Sequence, residues 1–150
     1  MIGRGLADHM AINTFEDLPV YYEMVAEAYS ENGEPENGLP LLGEAMAAAE
    51  RTGLQYWSAE LFRRKGLLLL QQSRRNKSEA RACFAKAIGI AQAQGARALL
   101  LRALCDEARI AEGPDRATTL AALSSLCAAL TEGHDFVDVV EARRLLDELR

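Results

Sequence analysis

The chain has 150 residues, enough for one domain with a real core, and its 49% hydrophobic and 26% charged content is that of an ordinary globular protein. No apolar run approaches the ~18 residues that a bilayer span requires, and residues 1–10 hold Arg4, Asp8 and His9 with no apolar core, which argues against a secretory signal. The net charge of −5 hides a division into an acidic first third, a basic middle and an acidic last third.

Four Pro and few runs of Val, Ile or Thr favour helix over sheet. Leu6, Ala7, Met10 and Ala11 could form a short helix within 1–16; a loose tail is the alternative. The first clear helix starts near Asp17, takes Pro19 in its first turn and carries Tyr22, Val25, Ala26 and Tyr29 at helical spacing until Gly33 stops it. Asn32-Gly33-Glu34-Pro35 is a turn. A second helix runs from about Glu36, or nearer Pro40, to Thr52, with Leu39, Leu42, Ala45, Met46 and Ala49 as its buried stripe and Gly53 as its end. The third spans about Tyr56 to Ser73, with Leu61, Phe62, Lys65, Gly66 and Leu69 inward. After the polar loop Gln71 to Lys77, Ser78 is expected to cap a fourth helix that reaches Gln94 before Gly95. A fifth from about Arg97 to Glu112 is broken by Gly113-Pro114-Asp115, and a sixth runs to Thr131. The last, over about 136–148, sets Val139, Ala142, Leu145, Leu146 and Leu149 against a charged side of Glu141, Arg143, Arg144, Asp147 and Glu148. Such a polar outer face suits a terminal capping helix.

A spacing recurs at an interval of 42 residues. Gly38-Leu42-Ala45, Ala80-Phe84-Ala87 and Ala122-Leu126-Ala129 each place a small residue, a large one four later and Ala three further on. Gly53 with Gly95, Gly66 with Ala108 and Phe62 with Leu104 keep the same interval. A period of this length predicts stacked helical hairpins. The expected architecture is an all-α, right-handed solenoid of about three hairpins, over 17–53, 54–95 and 96–133, closed by the capping helix.

Residues 1–50 carry one Arg against ten acids, residues 51–100 ten bases against Glu60 and Glu79, and residues 101–150 six bases against ten acids. The simplest reading is attraction between neighbouring repeats; a basic patch for an acidic partner is the other. Cys83, Cys105 and Cys127 lie far apart without a C-x-x-C, so they read as buried reduced thiols, consistent with a cytoplasmic location.

Chemistry is hard to find. His9 and His134 are the only histidines, Ser124-Ser125 has no neighbouring base, Glu107 and Glu112 read as solvated helix residues, and Gly3-Arg4-Gly5 is too short for a nucleotide loop. No catalytic or metal residues and no cofactor are expected. Arg63-Arg64-Lys65 and Arg74-Arg75-Asn76-Lys77 would suit phosphate, yet Arg64 and the 74–77 loop read more simply as solvated surface. Tyr56 and Trp57 read as packing against the preceding hairpin rather than as a stacking surface.

The small/large/Ala triplet resembles the second helix of a tetratricopeptide repeat, Ala80-Ala82-Phe84-Ala87 most closely. Tyr22-x-x-Val25-Ala26-x-x-Tyr29 and Phe62-x-x-Lys65-Gly66-x-x-Leu69 resemble its first helix, although the usual period is 34 residues. From about Gly5 to Arg150 the chain is similar to the C-terminal repeat region of large bacterial multidomain proteins. Those join a class III adenylate/guanylate cyclase or DNA-binding domain to a signal-transduction ATPase and then to such repeats. Ala26-Glu27-Ala28-Tyr29, Gly38-Leu39-Pro40-Leu41-Leu42, Glu50-Arg51-Thr52-Gly53 and Trp57-Ser58-Ala59-Glu60-Leu61 carry the likeness. So do Arg63-Arg64-Lys65-Gly66, Ala80-Arg81-Ala82-Cys83-Phe84, Ala91 to Arg97, Thr131 to Asp135 and Glu141 to Leu149. Leu67 stands where such proteins often have Glu, and His134 where an aromatic is common. No G-x-x-x-x-G-K-[ST] is present, so no nucleotide chemistry carries over.

The resemblance implies a regulatory, non-catalytic module that binds a protein or peptide partner. By repeat register Glu23, Glu27, Glu60, Arg63, Arg102 and Arg109 would project into a concave groove and hold a peptide of mixed charge. Equally, these charges could pair with one another across adjacent helices. A homodimeric remnant of a larger regulator is the second expectation, and a nucleic-acid binder the third.

Overall fold

The computed structural model describes residues 18–53 and 55–149. Among them are seven α-helices and no strand: α1 (Leu18–Glu31), α2 (Pro35–Thr52), α3 (Ser58–Gln72), α4 (Lys77–Gln94), α5 (Arg97–Ile110), α6 (Gly113–Ala128) and α7 (Val137–Leu149). A 3₁₀ turn, Arg74–Asn76, joins α3 to α4. The protein is all-α, and the expected helix or tail over 1–16 lies outside the described residues.

Glycine ends α2 and α4 as expected. Gly53 and Gly95 both take left-handed backbone, at φ 71° and 64°, which only glycine adopts without strain. Two starts differ from expectation. α2 begins at Pro35, whose missing N–H costs nothing in a first turn, so Pro40 lies inside the helix. α4 begins at Lys77 rather than after a Ser78 cap. Ser73 accepts from the Arg75 N–H and sets the 3₁₀ turn, while Asn76 Nδ2 donates to the Leu69 carbonyl, so the chain is already helical when it reaches Ser78. α5 ends earlier than expected, at Ile110: Ala111 and Glu112 are extended, and Gly113-Pro114 opens α6 instead of merely separating two helices.

Each helix packs on the next, and α1 with α3, α3 with α5 and α5 with α7 also meet. The backbones of the even-numbered helices make no such approach to one another among the described residues. Three apolar clusters fill the joints. Tyr22, Ala26, Leu42, Ala45, Ala48, Leu61 and Leu68 join α1, α2 and α3, with Trp57 packed against them. Leu69, Ala80 and Phe84 join α3 and α4. Leu101, Leu104, Cys105, Leu123, Cys127, Val139, Leu145 and Leu146 are among those that join α5, α6 and α7.

Of the described glycines, Gly66 is the most tightly enclosed, by Phe84. A Cβ on Gly66 would lie 2.5 Å from Phe84 Cε1, so the ring occupies the space that any side chain would need. The first two triplets behave as read: Gly38, Leu42, Ala45, Ala80, Phe84 and Ala87 are all buried. The third does not. Ala122 and Ala129 are exposed and Leu126 is half-buried, whereas Thr119, Leu123 and Cys127 are buried. The buried stripe of α6 runs through 119, 123 and 127 instead, and the 42-residue interval fails there.

Candidate functional site

One face is built by the odd-numbered helices. Charged residues recur along it at one-turn spacing: Glu23 and Glu27 on α1, Glu60, Arg63 and Arg64 on α3, Arg102, Asp106 and Arg109 on α5, and Asp138 and Glu141 on α7. Residues three or four apart share a helix face, so each helix presents its charges to the next odd helix.

The result is an alternation of guanidinium and carboxylate. Arg64 Nε lies 2.6 Å from Glu23 Oε1, and its Nη2 lies 2.6 Å from Glu27 Oε1. Arg63 donates to Glu60 twice, Nε at 2.9 Å and Nη2 at 2.6 Å, and its Nη1 donates to Asp106 Oδ2 at 2.5 Å. The other oxygen of Asp106 accepts from Arg109 Nη1 at 2.8 Å, and Arg109 Nη2 donates to Glu141 Oε1 at 2.5 Å. Arg102 reaches Asp138 Oδ2 at 2.8 Å. Arg144 extends the row on α7 to Glu141 and Glu148.

Much of this network is out of water. Glu60 is 1% exposed, Glu23 4%, Asp106 6% and Arg63 8%. Burying charge is costly unless it is paired and hydrogen-bonded, a condition that Glu60, Arg63 and Asp106 meet. The two buried glutamates respond oppositely. For Glu60, burial would raise the carboxyl pKa, but the hydrogen bonds from Arg63 and the charges of Arg63 and Arg64 outweigh it and hold the value below 4.5. For Glu23, burial prevails over Arg64 and the nearby carboxylates add to it, so the value is raised. Glu23 Oε1 and Arg64 Nε approach without hydrogen-bond alignment, which leaves Glu23 less well solvated than Glu60.

Between α3, α5 and α7 the face sinks into a depression of about 310 Å³, lined by Arg63, Arg64, Arg102 and Arg109 with Cys105, Asp106, Asp138 and Glu141. Four cations against three carboxylates give it a slight positive balance. The Cys105 thiol is pushed up to about 12 by burial, so it stays protonated at neutral pH. What the depression offers a ligand is charge and directed hydrogen bonds.

Of the six residues expected in a groove, Arg102 and Arg109 line the depression with partly exposed guanidiniums, and Arg63 lines it from beneath. Glu23, Glu27 and Glu60 lie outside it, tied to Arg63 and Arg64. Pairing across adjacent helices, the alternative reading of the sequence, is what five of the six do; Glu60 pairs with Arg63 and Arg64 on its own helix. Arg64 is not the solvated surface residue expected; it bridges three carboxylates on two helices. Asp106 and Asp138 join the face as residues not expected in it, and Glu141, expected on the polar outer side of a capping helix, lines the depression. The signal that finds them is one-turn spacing on alternate helices: Asp106 beside Arg102 and Arg109, and Glu141 one turn after Asp138.

The uneven charge along the chain has the same explanation elsewhere. Arg81 on α4 binds Glu107 at 2.7 Å and Asp115 at 2.9 Å, and Lys77 pairs with Glu112. The basic middle segment is drawn to acids on both flanks. Among the described residues no group of three or more His, Cys, Asp or Glu is placed to hold a metal, and no helix is long and apolar enough to cross a membrane.

Over 99 residues the chain is 35% identical to Uncharacterized protein R02095 of Rhizobium meliloti (strain 1021). The match takes in 66% of this chain and 10% of the relative, so the chain spans about a tenth of the length of that protein. No family model matches the chain. No solved structure matches it either.

Proposed function

We propose that the protein is a non-catalytic, regulatory interaction module: a right-handed α-solenoid of tetratricopeptide-like hairpins, related to the repeat regions of cyclase–ATPase regulators. It binds a protein or peptide segment on the face built by α1, α3, α5 and α7. The observation that carries this reading is the charged depression over α3, α5 and α7. Contact among the odd helices without backbone contact among the even ones supports a curved stack whose inner row is odd. Gly66 against Phe84 supports the repeat assignment, because it joins the small residue of one helix to the large residue of the next within a hairpin. The relative, about ten times longer than the matched segment, is consistent with a module that also occurs inside larger chains.

Arg102 and Arg109 are the donors such a segment would meet, since both keep guanidinium edges exposed while Arg63 is enclosed. A ligand carboxylate would compete with Asp138 and Glu141 for them, and a ligand cation would take the carboxylates released. Panning a library of mixed-charge peptides against the protein tests the reading. Sequences selected by the wild type should lose at least about tenfold in affinity on Arg102→Ala plus Arg109→Ala, the cost of one or two charge-assisted hydrogen bonds. They should be indifferent to Glu44→Ala on α2. Equal binding by all three proteins overturns the assignment of this face.

A further inference from the structure

Ion pairing does not take up every cation of the described residues. Arg74 and Arg116 form no ion pair among the described residues, and both line one cleft at the end of the molecule where the α3–α4 and α5–α6 junctions meet. The cleft encloses about 490 Å³, within the range of small-molecule sites. Leu70, Gln71 and Arg74 form one side, Lys77 the start of α4, and Arg109, Ile110, Glu112 and Arg116 the other side. Four cations face it with one carboxylate.

Its chemistry is divided. Leu70 and Ile110 are half-buried and supply an apolar floor. Arg116 is held in place by its Nε, which donates to the Ala111 carbonyl at 2.8 Å, so the rest of its guanidinium is presented with little freedom left to lose. Glu112, the single acid, is engaged with Lys77 in an exposed pair of the kind that contributes little and exchanges readily.

We propose that this cleft binds a small organic phosphate. The phosphoryl group displaces Glu112 from Lys77 and sits among Lys77, Arg74 and Arg116, and the apolar part lies over Leu70 and Ile110. The site is separate from the depression on the odd-helix face, sharing only Arg109 with it. An acidic peptide would match the cations and leave the apolar floor unused.

Calorimetric titration of the full chain with phenyl phosphate, inorganic phosphate and a tetraglutamate peptide tests the proposal. Phenyl phosphate should bind several-fold tighter than inorganic phosphate, and Arg74→Ala and Arg116→Ala should each weaken it by about tenfold. Glu112→Gln should strengthen binding, a gain that loss of folding does not produce. No saturation by phenyl phosphate up to about 10 mM, or unchanged binding in both arginine variants, overturns the proposal. Tighter binding of tetraglutamate than of phenyl phosphate overturns it as well and assigns the cleft to acidic chains. None of these variants touches Arg102, so the result is independent of the peptide-binding reading.

Discussion

Arg63 Nη1 lies 2.5 Å from Asp106 Oδ2 where α3 meets α5, and both side chains are almost wholly buried. The same guanidinium holds Glu60 through two hydrogen bonds. Removing it takes from Glu60 both of its hydrogen bonds and leaves Asp106 with Arg109 alone, while both carboxylates stay largely buried. Arg63→Met should therefore cost about 3–5 kcal/mol, the penalty for breaking a buried pair from one side. Replacing Arg63, Glu60 and Asp106 together with apolar residues of matched volume should recover most of that loss, because no buried charge then remains unpaired. Urea unfolding of the single and triple variants checks this. A triple variant no more stable than Arg63→Met would show that the guanidinium acts by packing rather than by charge.

Gly66 and Phe84 give a second test with an internal control. A Cβ at Gly66 would meet Phe84 carbons at 2.5, 2.9 and 3.0 Å. Gly66→Ala should destabilise by about 1–3 kcal/mol as the ring is forced aside. Gly89 lies within α4 with open space around it, so Gly89→Ala gains helix propensity and should stabilise by up to about 1 kcal/mol. Thermal melts of the two variants should move in opposite directions.

The displaced stripe of α6 predicts which of its residues matter. Leu123→Ala should cost about 2–5 kcal/mol, since Leu123 is fully buried among α5 and α7. Ala122→Ser and Ala129→Ser, at two positions of the expected triplet, should each change stability by no more than about 0.5 kcal/mol, because both are exposed. The difference shows how far the sequence could be read. Around Phe84 and Leu42 one bulky residue stands between small ones, so the buried face is unambiguous. α6 has alanine on every side, at 117, 121, 122 and 128, and small residues do not distinguish a face. Its register is decided by where Leu120, Leu123 and Cys127 meet the neighbouring helices, which needs the tertiary contacts. The charged face was half legible for a related reason. Its residues could be assigned to one side of each odd helix by spacing, but whether Arg63 met a ligand or Asp106 depends on how closely α3 and α5 approach.

Glu23 and Glu60 should answer the same substitution differently. The folded protein holds the Glu60 pKa below its ordinary value, so its contribution is present above about pH 4.5 and is lost as the pH falls through the lower folded value. Glu60→Gln at pH 7 should cost about 1.5–3 kcal/mol, the range for hydrogen bonds to a charged group. Glu23 is raised, so the folded state favours its protonated form, and that preference disappears as the pH rises through the folded value. Glu23→Gln at pH 7 removes an anion that the fold disfavours and should be close to neutral. Urea midpoints at pH 7 and pH 4 separate the two, with the Glu60→Gln deficit shrinking at the lower pH.

Cys105 sets an alkaline limit on stability. Its thiol is pushed up to about 12 from an ordinary 9.0, chiefly by burial in the α5–α6–α7 cluster. Between those values the unfolded chain has lost this proton and the folded chain has kept it. Stability therefore falls as the pH rises, by at most about 1.4 kcal/mol per pH unit for one such group. Cys127 is raised by burial too, so it adds to the same trend. In Cys105→Ala the lost packing is a penalty independent of pH, whereas the titration is gone. The stability gap between wild type and variant should consequently be widest near pH 8 and narrow steadily towards pH 11. Parallel unfolding curves across that range would mean that the thiol ionises as easily in the folded protein as in the unfolded chain, and would overturn this prediction.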